Sequence, residues 1–135
     1  MTPNENIEHA LFAHVRDHVT QVPISWPNTE FDPALQTHQY LAVTHFRNQN
    51  ERLYLRGTEQ RRQGILQLSL VSLLGAGAPP SLALAGEITA DFAQDTVLVS
   101  EGVKVRITKE PDTMSTLKTD VSWIIPISVY YEAFI

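Results

Sequence analysis

Cysteine is absent from this chain of 135 residues, and so are long apolar runs and an excess of basic side chains. Without cysteine there is no disulfide scaffold, thiol nucleophile or cysteine-ligated zinc site. No run approaches the ~18 consecutive apolar residues of a membrane span, and no basic segment precedes an apolar stretch at the N-terminus, so we expect neither a spanning helix nor a signal peptide. Ten Lys and Arg against fifteen Asp and Glu give a net charge of −5, which argues against a general nucleic-acid binder.

Length and composition predict one folded domain spanning residues 1–135. Hydrophobic residues make up 43% of the chain and charged residues 19%, close to the averages of globular proteins. A chain of this size buries roughly two-thirds of the surface that its unfolded form exposes. We therefore expect a sizeable hydrophobic core that needs no covalent cross-links.

The basic side chains are concentrated in one segment. Five of the seven arginines lie between residues 47 and 62 beside two glutamates, so this segment carries +3 and leaves −8 for the rest of the chain. Arginine is favoured over lysine where a planar, bidentate contact with carboxylate or phosphate is needed. A solvated hairpin, a protein–protein interface and a DNA contact all remain open for this segment. Its arginines are Arg47, Arg52, Arg56, Arg61 and Arg62.

Hydrophobic periodicity predicts an α+β fold. Runs of strands without strict βαβ alternation indicate a mostly antiparallel or mixed β-sheet with two α-helices packed on one face, plus a projecting β-hairpin or loop in the arginine segment. Residues 110–119 are polar and are predicted to form a loop. The predicted helices cover residues 4–22 and 81–92. Residues 24–32 are predicted to form a short strand that runs into a loop, and further strands are predicted over residues 38–47, 63–74, 96–99, 103–108 and 121–134.

The last predicted strand is the most apolar one and is rich in aromatic residues. Tyr130, Tyr131 and Phe134 lie near its end, and we expect core packing on one face and a subunit interface on the other. Pro126 occupies the opposite register and cannot donate a hydrogen bond to a neighbouring strand. A sheet edge or a bulge is therefore predicted at Pro126.

Candidate catalytic and metal-binding residues are sparse. His14 and His18 have the i, i+4 spacing of a metal-binding pair on the first helix, with His45 as a conceivable third ligand, but the glutamate of the zinc protease motif is missing. Packing or surface histidines are the favoured interpretation. Asp91 and Asp95 are also spaced i, i+4, without any visible feature that would raise a carboxyl pKa. We therefore expect no catalytic site, metal or cofactor.

One short motif spans the end of the arginine segment and the start of the predicted strand 63–74. The sequence Arg61-Arg62-Gln63-Gly64-Ile65-Leu66-Gln67 contains the pattern Arg-Arg-X-Gly-X-X-Gln. It follows an N-terminal helix and a loop containing Trp26-Pro27-Asn28, and precedes a Gly/Pro turn, a second helix and a long closing strand. In motif and in element order, nearly the whole chain resembles the lambda-type tail terminator family of long-tailed bacteriophages, including a related group known only as a domain of unknown function.

The resemblance implies a structural virion protein and no enzyme. Its family members are expected to form a hexameric ring at the head-proximal end of the tail tube, to end tube polymerisation and to contact the head connector, after assembly in the host cytoplasm. DNA would pass through the ring without specific binding, and no membrane is involved. Six copies would carry −30, so an acidic lumen would repel DNA while the arginines face acidic protein partners.

The contacts with a neighbouring subunit or with the tube protein are assigned to the arginine segment and the aromatic strand end. The predicted interface residues are Arg47, Arg52, Arg56, Arg61, Arg62, Tyr130, Tyr131 and Phe134. Three alternatives remain open: a head–tail connector or neck subunit, a small nucleic-acid-binding module that uses the arginine segment, and a metal-dependent enzyme built on His14 and His18.

Overall fold

The computed structural model describes residues 2–27, 39–52, 60–73, 78–118 and 122–134. Arg56 lies outside these residues, and for Arg52 only the backbone is described. Two helices and nine strands are present in the described parts. They are α1 (Pro3–His18), β1 (Ile24–Ser25), β2 (Gln39–Arg47), β3 (Glu51–Arg52), β4 (Gln60–Leu73), α2 (Ala78–Ala90), β5 (Val97–Ser100), β6 (Val103–Ile107), β7 (Asp112–Thr113), β8 (Leu117–Lys118) and β9 (Ser122–Phe134).

Helix α1 begins one residue before its predicted start and ends four residues before its predicted end. The Thr2 hydroxyl accepts a hydrogen bond from the Glu5 amide (3.4 Å), and Pro3 occupies the first turn, where its missing N–H costs nothing. Val19 is already extended, yet it is only 2% exposed. Val19 thus reaches the core from outside the helix. The predicted helix continued to Val22 because apolar residues recur at helical spacing, but these residues can be buried without a helical backbone.

The strands form one sheet in the order β1-β2-β4-β9-β6-β5, with β3 against β4 and both β7 and β8 against β9. All pairs are antiparallel except β1 with β2. The predicted α+β class and mixed sheet are confirmed. Residues 53–59, between β3 and β4 in the chain, lie outside the described residues, so the projecting part of the predicted hairpin stays a prediction.

The prediction of an edge or a bulge at Pro126 is wrong. Strand β9 is central, and its pairing with β4 continues through Ser69 opposite Pro126 without a bulge. The Pro126 carbonyl accepts a hydrogen bond from the Met114 amide (2.8 Å) on the side of β9 that faces away from β4. The nitrogen of Pro126, which has no hydrogen to donate, points to this same side, between β7 and β8, where the strand pairing of β9 is interrupted. The polar region 110–119, predicted as a loop, supplies these two short strands because β9 offers a free side there.

Side-chain alternation gives the sheet one buried face. Alternate leucines of β4 and isoleucines of β9 are fully buried there, together with Leu11 of α1 and Ile88 of α2. Both helices therefore pack on this side, which we call the helix face. Helix α2 begins at Ala78 and ends at Ala90, two residues before the predicted end, and Phe92 enters the core just beyond it.

The sheet curls around α1. The Glu8 carboxylate contacts His45 on β2 (3.1 Å), while the adjacent His9 contacts Ser100 on β5 (2.9 Å). Three strands separate β2 from β5 in the sheet order, so the sheet must wrap around both flanks of the helix. In the described residues, neither helix has the length and apolar character needed to cross a membrane.

Candidate protein interface on the open face of the sheet

The strand register divides the predicted interface residues between two faces. Arg47, Arg62 and Tyr131 point to the helix face, in phase with the buried residues of β2, β4 and β9. Arg61 lies directly opposite Phe134 on the other face. Tyr130 shares this second face, which we call the open face because both described helices pack on the opposite side of the sheet. The structure thus brings together Arg61, Tyr130 and Phe134 and separates them from the rest.

The two arginines on the helix face contact helix α1 of their own chain. Arg47 Nη2 lies 3.3 Å from Glu8 Oε1. Arg62 Nη1 donates to Asn4 Oδ1, also at 3.3 Å. These contacts hold the first half of α1 against the end of the sheet where the arginine segment begins. A role for Arg47 or Arg62 in binding a partner remains a proposal.

Tyr131 belongs to a buried hydrogen-bond chain and not to an exposed seam. It is 3% exposed, and burial raises the pKa of its hydroxyl to about 12, so the phenol keeps its proton and donates to His45 Nε2 (2.5 Å). His45 Nδ1 then donates to Glu8 Oε1 (3.1 Å). The order carboxylate, imidazole, hydroxyl resembles a catalytic triad, but the hydroxyl here is a buried phenol of raised pKa. The chain ties α1, β2 and β9 together.

A buried carboxylate between two arginines organises the open face. Arg61 Nε lies 2.9 Å from Glu132 Oε2, and Arg106 Nη2 lies 2.5 Å from Glu132 Oε1. Arg106 also contacts Asp95 (2.6 Å). Burial opposes ionisation of Glu132, but the hydrogen bonds from Arg106 and Arg61 outweigh it and lower the pKa of this carboxyl. Glu132 therefore stays charged and joins β4, β9 and β6 across the face.

Exposed apolar side chains surround this charged cluster. Phe46, Ile65 and Tyr130 are cross-strand neighbours in one row over β2, β4 and β9. Phe46 is 54% exposed and Phe134 49%. A cavity of about 310 Å³ opens here, with Phe46, Arg61, Ile65 and Tyr130 among its lining residues. At the far edge, Val97 (49% exposed) and Val99 (61%) lie on the same face, opposite Arg106 and Lys104.

This combination is typical of protein interfaces. Aromatic residues and arginine are enriched in interfaces, and exposed aromatic residues beside a concave pocket are typical binding anchors. The residues of this face that were not among the predicted interface residues are Phe46, Val97, Val99 and Arg106. The apolar residues in both registers of the predicted strand 38–47 carried a signal for Phe46. Arg106 alternates with the buried residues Val105 and Ile107 in β6, so its side chain belongs to the other face of the strand. This alternation does not indicate that Glu132 is the partner of Arg106.

The profile of the family described as phage tail terminator protein matches residues 6–131. The chain belongs to the phage tail terminator family. It is therefore a structural protein of a bacteriophage tail. One solved structure resembles it with a TM-score of 0.73 at 24% sequence identity, over 96% of this chain and 92% of that one, which supports the fold alone. None of the curated proteins compared with the chain matches it.

In this tail terminator, the pattern Arg-Arg-X-Gly-X-X-Gln joins β4 to its neighbours. A Cβ on Gly64 would lie 2.4 Å from the Phe46 carbonyl oxygen and 2.7 Å from the Tyr131 hydroxyl, so only glycine fits. Gln67 accepts a hydrogen bond from the Ser128 hydroxyl on β9 (3.0 Å). Gly64 and Gln67 of the pattern thus hold β4 against β2 and β9.

The histidine pair of this tail terminator has packing partners. His14 Nε2 donates to the Asp91 carbonyl (2.6 Å), and its ring lies edge-on to Phe92. His18 stacks on His14 with ring centroids 3.9 Å apart and bonds to the His14 carbonyl (3.0 Å). Burial lowers the pKa of His14. Within the described residues, no group of three or more His, Cys, Asp or Glu side chains is placed to hold a metal ion.

Proposed function

We propose that this tail terminator closes into a hexameric ring on the head-proximal end of the tail tube. The ring ends the addition of tube subunits and offers its outer surface to the head connector, and the subunits assemble in the host cytoplasm. It acts by binding and not by catalysis. The family match over residues 6–131 supports the capping role.

The observation that carries the proposal is the open face. It combines exposed Phe46 and Phe134 with Arg61 and a cavity of about 310 Å³. Several large apolar side chains exposed on one face of a protein indicate an interaction surface. A subunit that must contact both its ring neighbours and a tube needs such surfaces.

The charge of the chain supports DNA passage without recognition. Each copy carries −5, so six copies carry −30. Two of the basic residues of the open face, Arg61 and Arg106, are already paired with Glu132. Like-charge repulsion between an acidic ring and the phosphates lets DNA slide, and the pairing of Arg61 and Arg106 with Glu132 reduces their attraction for phosphates.

The test is a capping assay with the tube protein of the same phage. Tube protein polymerised alone should give long tubes of uncontrolled length in negative-stain micrographs. Adding the wild-type terminator should shorten the tubes and leave a six-fold ring on one end. Tubes of unchanged length without a terminal ring, at terminator concentrations equal to the tube protein, would refute the proposal.

A matched pair of variants links capping to the open face. Phe134→Asp introduces a charge where partner contact is proposed, and at least a tenfold loss of capping at a given concentration is expected. Met114→Asp is the control, because Met114 is equally exposed at 49% but lies outside the cluster. Reversing Arg61 is a poorer test, since it would place a carboxylate beside buried Glu132 and disturb folding.

A further inference from the structure

We propose that the groove between α1 and Trp26 is the docking site for the open face of a second copy of this chain. This inference rests on the proposed ring and names the two surfaces that form its subunit seam. The groove encloses about 520 Å³. It is lined by the apolar residues Phe12, Ala13, Trp26 and Pro27 and by the polar or charged residues Glu5, Glu8, His9 and Arg16. Arg16 is paired with Asp17 of its own helix (3.2 Å).

The groove is an apolar site with a rigid wall. The Phe12 and Trp26 rings pack at 5.3 Å between centroids, and Phe12 also contacts the buried His45 ring edge-on. Because His45 is fixed by Glu8 and Tyr131, this wall is anchored to the core of the fold. A preformed groove that combines an apolar aromatic wall with charged side chains suits an aromatic or aliphatic anchor with a polar neighbour from another protein.

The groove and the open face lie on opposite sides of the molecule. Helix α1 packs its Ile7, Leu11 and Val15 against the helix face of the sheet, so the groove on its outer side is separated from the open face by the helix and the sheet. A ring needs two different surfaces on each subunit, one meeting the other on the next copy. Two surfaces on opposite sides provide this head-to-tail arrangement.

The two surfaces also have complementary chemistry. Glu5 stands at the groove and Lys104 on the open face beside Val99, and neither forms an ion pair within the described residues. The groove offers an apolar depression, and the open face offers Phe46, Phe134 and Val99 as exposed apolar side chains. This match favours a second copy as the occupant over an unrelated partner.

The absence of cysteine allows a direct contact test. Ala13→Cys in the groove is combined with Val99→Cys or with Phe134→Cys on the open face, and the protein is treated with a short bismaleimide at concentrations where rings form. Denaturing gels of at least one double variant should show a ladder of cross-linked chains up to six. Each single-cysteine variant should remain monomeric on the gel.

A charge exchange supplies the second measurement. Glu5→Lys and Lys104→Glu should each lower the fraction of assembled protein at least fivefold in sedimentation velocity, and the double variant should recover most of it. Lys118→Glu, at an exposed position on β8, is the control and should assemble as the wild type does. All substitutions are at surface positions, and circular dichroism verifies that each variant is folded.

The outcomes separate this inference from the proposed function. Dimers in a single-cysteine variant indicate two-fold pairing and overturn the inference, as does the lack of a ladder in both double variants. If the wild-type protein forms rings of six but neither double-cysteine variant gives a ladder, the proposed seam is refuted and the proposed ring is not. A wild-type protein that neither assembles nor caps tubes refutes the proposed function and this inference with it.

Discussion

Gly64 lies where atoms of two neighbouring strands come close to β4, near one end of the sheet. Its Cα faces the helix side, where the Tyr131 ring crosses it to reach His45, and the backbone of Phe46 passes on the other flank. The sequence motif indicated that this position matters, but only the structure gives the reason. A glycine in the middle of a strand normally weakens it, so its presence here reflects space and not backbone conformation.

We expect Gly64→Ala to destabilise the fold by about 1–3 kcal/mol, because the added methyl must displace either the Phe46 backbone or the Tyr131 ring. The control is Gly86→Ala. Gly86 is exposed within α2, and a Cβ there meets nothing within 4 Å, so alanine should stabilise by about 0.5–1 kcal/mol. Urea denaturation of the three proteins measures both effects, and equal stabilities of the Gly64→Ala variant and the wild type would contradict this account.

At the scale of elements, the sequence was informative wherever a local pattern decides the structure. Period-2 alternation predicted β4 and β9 to within three residues, and hydrophobic periodicity predicted the start of α1 to within one residue. Position in the sheet is not a local property. The sequence shows that Pro126 has no N–H to donate, and this alone predicted an edge strand. The gap between β7 and β8 that accommodates Pro126 is formed by residues about Met114, 12 positions earlier in the chain, and their location cannot be inferred from the local pattern.

The candidate site shows the same division. Tyr130, Phe134 and Arg61 were identified from composition, and they do share the open face. Tyr131 and Arg62 were predicted on the same grounds, the aromatic content of the last strand and the clustering of arginine, yet adjacent residues on a strand point to opposite faces. Their registers were readable from the pattern. The pairing of Arg61 and Arg106 with the Glu132 carboxylate could not be predicted from the pattern, because it joins three strands that are far apart in the chain.

Glu132 links three strands through its two arginine partners, so its neutralisation should be costly. Glu132→Gln keeps the shape but removes the charge that holds Arg61 and Arg106 together, and we expect a loss of about 1.5–3 kcal/mol in the free energy of unfolding at pH 7. Glu87→Gln, on the exposed side of α2, should change it by less than about 0.5 kcal/mol. A Glu132→Gln variant as stable as the wild type would mean that the cluster contributes nothing to folding.

For the whole molecule, two partly buried histidines connect the helices to the sheet and to each other. His45 joins β2 to α1 and β9, and His14 joins α1 to the residue after α2. Burial is the largest cause of the lowered pKa of each histidine, and Arg47 adds to it at His45, while the hydrogen bond to Glu8 opposes it. Both histidines are therefore held neutral in the folded state at pH 7.

This arrangement predicts loss of stability in mild acid. The pKa of both histidines in the folded state lies below the unfolded value of 6.5, so the unfolded chain takes up protons first as the pH falls. Their full contribution is present above about pH 6.5 and is lost below it, with a slope of at most about 1.4 kcal/mol per pH unit for each histidine. Urea denaturation at pH 7.5, 6.5 and 5.5 and at fixed protein concentration should show this decline. His45→Gln removes one titrating group and should flatten the decline between pH 6.5 and 5.5, whereas an unchanged slope in that variant would assign the acid sensitivity to other groups.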